Sequence, residues 1–372
     1  MQFKDIVGQK DTKHDLIQSF KSDKISHAQL FLGKPGYGTL ALALAYSQYI
    51  FCENKSDDDS CGVCISCKQI SESQHPDLHF VFPVVQAISK ISSALLPEWR
   101  TQLKESSYFD LFHWVNIMDS KERSPIISTE ESKEIIKKIS LKSFQGSYKI
   151  MIIWNAEEMN MDCSNKILKI LEEPPPKTLF LLICEDQQKL LPTIQSRTQV
   201  MQVPRIGINE LSQHLAHHHN IDATSAGTIA AFSEGDYITA LDLIKEEAGD
   251  SSYREQFVSL MRVSYKKDVI GMLDWAEGIS STTKERQKLF ILYALHMLRQ
   301  SLVNNYIGSE SLHISTEEAA FITNFSPYIS GNNIQSFLKT FDDAHYHIER
   351  NANAKILFTQ MSFQTMRYIH QA

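Results

Sequence analysis

The chain runs to 372 residues, 42% hydrophobic and 22% charged, with a formal net charge of -7. That length implies two or three domains and enough material for a real core, and the composition is that of an ordinary globular protein. The acidic balance excludes a protein that coats DNA by bulk electrostatics, although a local basic patch is compatible with it. Residues 1–10 (MQFKDIVGQK) contain no apolar signal core, and no later run is long enough to span a bilayer. The expectation is a cytoplasmic protein with no membrane role, whose six cysteines act as thiols or metal ligands rather than disulfides.

Taken in order, residues 3–9 (FKDIVGQ) form a turn-like lead-in to a helix over about 12–20. Gln29 to Leu32 reads as a short strand, followed by Gly33-Lys34-Pro35-Gly36-Tyr37-Gly38-Thr39-Leu40 and a helix over 41–51. Strand, glycine loop and helix are the setting of a phosphate-binding loop, in which backbone N–H groups cradle phosphates at a helix N-terminus. Gly33 and Gly38 fit the pattern G-x-x-x-x-G-K-[ST], but Thr39 stands at the lysine position and Leu40 at the hydroxyl position. The lysine that reaches the β- and γ-phosphates and the hydroxyl that holds Mg²⁺ are both absent, and Lys34 sits at the wrong end of the loop to replace them. A plain turn joining strand to helix is the alternative reading.

Cys52, Cys61, Cys64 and Cys67 follow with spacing C-x8-C-x2-C-x2-C in a polar loop. Four thiolates so close in sequence suit tetrahedral Zn²⁺ with no open position, hence a structural site. A redox pair or free thiols are the alternatives, and His75 is an inferior candidate for a ligand. Residues 77–85 read as another strand. The stretch 86–127 contains Tyr108, Phe109, Phe112 and Trp114, which either pack on the domain or form a partner-binding face. A helix over 130–139 follows, with Ile135, Ile136 and Ile139 on its buried side, while Lys133, Lys137, Lys138 and the nearby Lys142 face solvent or DNA phosphates.

Residues 149–154 (KIMIIW) are a strand, and 165–172 a helix with Ile167, Leu168 and Leu171 at helical spacing, stopped by Pro174-Pro175-Pro176. Thr178 to Cys184 (TLFLLIC) suits a parallel strand covered on both faces. Ser196-Arg197 follows a surface segment opened by Pro192, which leaves the arginine free to reach beyond its own subunit. Residues 198–203 close the sheet. From 205 onward the pattern is helical. His214, His217, His218 and His219 end a helix, where histidine also favours the dipole, and a single final helix is expected over 348–369.

The LEEPP segment at 171–175, the Ser196-Arg197 pair, the four cysteines and the late IERNANAKIL (348–357) occur in an order that resembles the AAA+ clamp-loader subunits of bacterial DNA polymerase III. The resemblance covers nearly the whole chain, with 86–127 the main departure. It implies an α/β, RecA-like AAA+ parallel-sheet domain over 1–204, carrying a zinc module at about 52–67 and an insertion at about 86–127. A helical lid over 205–248 and an all-α collar over 249–372 follow. Val7 and Gly8 would then lie along adenine, and Gly33, Gly36, Gly38 and Thr39 would form a degenerate nucleotide loop. The family register places Trp154 and Asn155 where the Walker-B Asp-Glu belongs, and Ile238 of Gly235-Asp236-Tyr237-Ile238 where a phosphate-sensing arginine belongs.

These losses favour the delta-prime type over the ATP-hydrolysing gamma/tau type. Such a subunit hydrolyses no ATP and binds it weakly or not at all. Arg197, supported by Ser196, would act in trans on the ATP of a neighbouring gamma/tau subunit. Its partners would be gamma/tau and delta, with the sliding clamp and primed DNA engaged through the complex. An active gamma/tau-like ATPase and a DNA-binding zinc protein are the competing readings.

Overall fold

The computed structural model describes residues 1–119, 123–144, 148–245, 251–308, 316–350 and 352–371. Five strands form: β1 (Ala28–Leu32), β2 (Leu78–Val81), β3 (Lys149–Ile153), β4 (Thr178–Cys184) and β5 (Gln199–Gln202). They make one sheet in the order β2-β3-β4-β1-β5, parallel at every pairing. β4, buried throughout, lies at the centre, and β5 is the exposed edge. The near-continuous apolar run of β4 follows from that position, because helices cover both faces of a parallel sheet. β2 is shorter than the sequence suggested, ending before Pro83, whose missing N–H cannot extend a ladder.

Helix Thr39–Phe51 is buried along its whole length. Helix Met161–Glu172 begins where the Asn160 side chain accepts the Cys163 N–H at 2.8 Å, and it buries Ile167 and Leu171 against β3 and β4. It stops before the prolines. Each such fully buried aliphatic side chain contributes about 1.5–3 kcal/mol. Helix Thr129–Ser140 buries Ile135 and Ile139, but Ile136 is partly exposed, a correction to the expected buried trio. Successive residues on a helix stand about 100° apart, so Ile135 and Ile136 do not share one narrow stripe. The Lys149 ammonium caps this helix by donating to the carbonyls of Lys138 (3.2 Å), Ile139 (3.1 Å) and Leu141.

Val84 and Ile126, at the two ends of the stretch 86–127, exchange two backbone hydrogen bonds of 3.0 Å, and Ile127 bridges to Met159 beside them. Between them lie helices Leu96–Glu105 and Leu111–Met118, while residues 120–122 fall outside the described set. Trp99 and Trp114 are fully buried. Trp99 stacks on Phe82, with centroids 4.2 Å apart and planes 13° from parallel, and meets Trp114 edge-on at 5.1 Å. The Trp114 indole donates to the Pro83 carbonyl at 3.0 Å. Trp99, Tyr108, Phe109 and Trp114 therefore build core, whereas Phe112 is half-buried.

The chain divides into two compact units, Met1–Leu211 with Gly235–Ile238, and Ser212–Glu234 with Thr239–Ala372. Beyond β5 the described residues contain helices and no strand. In the second unit, the long helix Lys284–Tyr306 buries Leu289, Phe290, Ala294 and Leu298 and packs against Ile334–Glu349. The single final helix expected over 348–369 is instead two. Ile334–Glu349 ends, and Ala354–Ile369 starts afresh where the Asn353 side chain accepts the Ile356 N–H at 3.1 Å. Ile348 is buried and Ile356 is 68% exposed, so the four-residue spacing of Ile348, Ala352 and Ile356 runs across two helices rather than along one. Asn351, between them, lies outside the described residues, as do positions 246–248 of the expected lid.

Replacing Trp99 by alanine removes the shared centre of the aromatic cluster. The expected loss is about 3–5 kcal/mol from the first unit, read as a lower urea midpoint of its unfolding transition; an unchanged midpoint would contradict the packing described.

Candidate functional site

Open parallel sheets bind ligands in the crevice beyond the carboxyl ends of their strands, and the glycine loop leaves the end of β1 there. The Gly33 N–H donates to the Cys184 carbonyl at 3.0 Å. Residues Pro35–Tyr37 curl into a 3₁₀ turn, in which the Tyr37 N–H donates to Lys34 and the Gly38 N–H to Pro35, each at 3.0 Å. Gly38 has φ +89°, a backbone that an L side chain rarely adopts, and it opens helix Thr39–Phe51. Thr39 is buried, its Oγ1 without a hydrogen-bond partner among the described residues, and Leu40 is buried beside it.

Two side chains crowd this loop. The Asp236 carboxylate lies against Gly36 so closely that a Cβ there would fall 1.9 Å from Oδ1. The Tyr108 ring covers Gly38, where a Cβ would stand 3.0 Å from the phenol oxygen. That oxygen also accepts the Val7 N–H at 3.2 Å, while Gly8, at φ +61°, is hemmed by Glu210 and Ile206. Val7 and Gly38 are thus gathered at one ring. Burial pushes the Tyr108 phenol up, so it stays neutral.

At the end of β3, Trp154 is buried, 5.0 Å from Phe109 and 5.2 Å from Trp99. Asn155 is buried in left-handed backbone. Glu157 falls in the 3₁₀ turn Ala156–Glu158, where its carboxylate accepts the Glu185 N–H at 2.8 Å and burial pushes its pKa up. The strand end therefore meets indole and phenyl groups.

Arg197 stands after the short helix Pro192–Gln195, about a third exposed. Its Nε donates to Glu172 Oε1 at 2.5 Å, and Nη1 donates to the Thr193 carbonyl at 2.8 Å and to Ser196 Oγ at 3.2 Å. Glu172 belongs to the LEEPP segment, so two separate motifs of the sequence meet at one guanidinium.

The four cysteines converge. Cys52 ends helix Thr39–Phe51, Cys64 caps helix Ile65–Ser71, and Cys67 lies in that helix's first turn. All four Sγ atoms lie within 4.8 Å of one another, with Cys61 and Cys67 at 3.9 Å. A tetrahedral ion with metal–sulfur bonds of about 2.3 Å requires sulfur–sulfur edges of about 3.8 Å, so the set fits. The N–H groups of Cys61, Cys64 and Cys67 point at the sulfurs of Cys52, Cys61 and Cys64 at 3.2, 3.4 and 3.5 Å. Such donors favour thiolate: the N–H groups of Val63 and Cys64 bring Cys61 down to about 6, whereas burial pushes Cys52 and Cys67 up. A divalent cation would neutralise the charge that burial resists. The arrangement is consistent with a structural zinc site. His75 is not part of the group; its ring lies tilted against Phe51 at 4.1 Å and its Nδ1 accepts the Asp77 N–H. The histidines at 214–219 form no metal-ligating group among the described residues.

A family profile described as DNA polymerase III, delta subunit, matches residues 8–207. The DNA polymerase III subunit delta' of Bacillus subtilis is 32% identical over 186 residues, covering 50% of this chain and 44% of that protein. The chain belongs to the DNA polymerase III delta-prime subunit family. The delta' subunit of Buchnera aphidicola is 23% identical over 290 residues, covering 74% of this chain and 77% of that protein. The tau/gamma subunit of Haemophilus influenzae is 26% identical over 301 residues, covering 79% of this chain and 35% of that protein. The chain therefore spans less than half the length of the Bacillus and Haemophilus proteins it matches.

In this delta-prime family member, the residues singled out by sequence fall in three separate places: the loop crevice, the Ser196-Arg197 surface and the cysteine cluster. Sequence reasoning assigned no site role to Tyr108, Asp236 or Glu172. Asp236 carried a signal, since it stands in the Gly-Ser-x-Arg register of the expected lid. Glu172 carried one through LEEPP. Tyr108 meets Val7 across 101 positions of sequence, and no local pattern announces that contact.

Proposed function

We propose that this chain is a delta-prime-type stator of a clamp-loader complex, working in the cytoplasm with gamma/tau and delta subunits to place a sliding clamp on primed DNA. It hydrolyses no ATP of its own. Arg197 reaches in trans to the γ-phosphate of the neighbouring gamma/tau subunit and stabilises the negative charge that develops on the transferring group. The observation that supports this reading above all is a contrast: Ser196-Arg197 is presented at the surface, while the chain's own glycine loop carries Thr39 at the phosphate-binding lysine position and is covered by Tyr108. Ser196 Oγ accepts from the guanidinium and so holds it in a ready orientation. Glu172 also holds it, and in the complex the neighbour's phosphate replaces that carboxylate.

The same reading divides the chain into a RecA-like AAA+ domain (1–204), a lid (205–248) and a collar (249–372) through which the subunits assemble. Zinc at Cys52, Cys61, Cys64 and Cys67 is structural: four sulfurs leave no position for substrate. Its module is tied to the N-terminal segment, where Asp59 accepts the N–H groups of Phe3 and Lys4 at 3.0 and 3.1 Å. A second reading, an active gamma/tau-like ATPase, is favoured by the alignment to a tau/gamma subunit over 79% of this chain. Hydrolysis by the isolated chain distinguishes it.

Arg197→Ala is expected to assemble with its partners and to lower turnover at the adjoining site by roughly 10³-fold or more, measured as clamp- and DNA-stimulated ATPase of the reconstituted complex. Undiminished ATPase in the assembled variant would refute the trans role. Metal analysis of the purified chain should return one zinc ion, which Cys64→Ser loses. Chelation should lower the melting temperature of the first unit, and a metal-free wild-type chain with an unchanged melting temperature would exclude structural zinc.

A further inference from the structure

The inserted stretch 86–127 has filled the nucleotide crevice with its own side chains, and we propose that it turns the site into a closed packing joint that admits no nucleotide. This rests on the delta-prime reading and deepens it, giving the physical cause by which the chain's own site stays empty. Two consecutive residues do most of the filling. Tyr108 lies across the glycine loop, and Phe109 lies at the end of β3 against Trp154. Both are buried.

The turn that presents them is locally fixed: Ser106 Oγ accepts the Tyr108 N–H at 3.0 Å and donates to the Tyr108 carbonyl at 3.2 Å. Helices Leu96–Glu105 and Leu111–Met118 flank it, anchored by Trp99 and Trp114 in the aromatic cluster. From there the Tyr108 hydroxyl reaches the Val7 N–H, its ring covers Gly38, and Tyr237 meets it edge-on at 4.9 Å. A planar base resting between Val7 and Gly38 would need the volume this ring occupies.

Charge acts in the same direction. The Asp236 carboxylate rests on Gly36, in the middle of the loop that would cradle phosphates, and a polyphosphate there would meet a like charge at contact distance. Asp236 and Tyr237 belong to the segment Gly235–Ile238 of the first unit, so plug and carboxylate are parts of one compact body. Volume and charge thus exclude the same ligand independently.

The test titrates the full-length chain with a fluorescently labelled ADP, comparing wild type, Tyr108→Phe and the double variant Tyr108→Ala/Asp236→Ala. Wild type and Tyr108→Phe, which keeps the ring, should show no saturable binding. The double variant should bind at least about tenfold more tightly. Hydrogen exchange supplies a second readout: the amide of Val7 should exchange faster in Tyr108→Phe, which lacks its acceptor. Saturable binding by wild type would overturn the proposal, as would a double variant with a wild-type circular dichroism spectrum and no gain in binding. If the double variant fails to fold, the wild-type titration and the Val7 exchange rate still decide: unchanged exchange in Tyr108→Phe overturns the proposal. Failure of Arg197→Ala to lower complex ATPase would strike the stator reading alone and leave these measurements intact.

Discussion

A parallel sheet ends in a crevice, and whatever fills that crevice decides what the domain does. The strands β1, β3 and β4 all point their carboxyl ends to one edge, where polar backbone and apolar side chains must be either liganded or covered. Here they are covered. Trp154 ends β3, Phe109 and Trp99 pack on it, and Tyr108 lies across the glycine loop. The insertion that supplies three of these four rings is held at its base by the paired backbone hydrogen bonds of Val84 with Ile126 and by the bridge of Ile127 with Met159. The stretch 86–127 thereby contributes to the core.

Covering the crevice has a consequence for the rest of the first unit. A nucleotide-driven domain needs its loop, strand ends and lid to change state with the ligand. In the proposed stator those parts are locked by aromatic packing, the Asp236 contact at Gly36 and the cysteine cluster. A fixed surface is useful where an arginine must meet a phosphate on another subunit, because positioning within an ångström governs such catalysis. In that proposal Arg197 is the group that the chain presents to its neighbour's nucleotide. Its contacts with Glu172, Thr193 and Ser196 restrict the guanidinium to a small region of the surface.

Much of this was legible in the sequence, for identifiable physical reasons. The run Thr178 to Cys184 has one stable place, the middle of a covered parallel sheet, and it is found there. The cysteines announced themselves because ligands that share one ion must be close, and x2 spacings keep them close. What escaped depended on long-range contact. The aromatic residues at 108–114 were visible as a cluster, but their meeting with Val7, Gly38 and Trp154 is a matter of tertiary fold. The break before Ala354 was hidden by Ile348 and Ile356, which share a helical spacing but not a helix; the capping potential of Asn353 was the available signal. Ile136 failed for the opposite reason, a locally plausible stripe drawn one residue too wide.

The central claim is that this chain lends its arginine and keeps no nucleotide of its own. It is tested most directly by a high-resolution structure of the assembled complex with a slowly hydrolysed ATP analogue. Arg197 is expected to be released from Glu172 and to lie within hydrogen-bond distance of a γ-phosphate on the neighbouring subunit, with Tyr108 still covering Gly38 and no nucleotide at the loop. Nucleotide seated at Gly33–Gly38, with Arg197 remaining on Glu172, would contradict it.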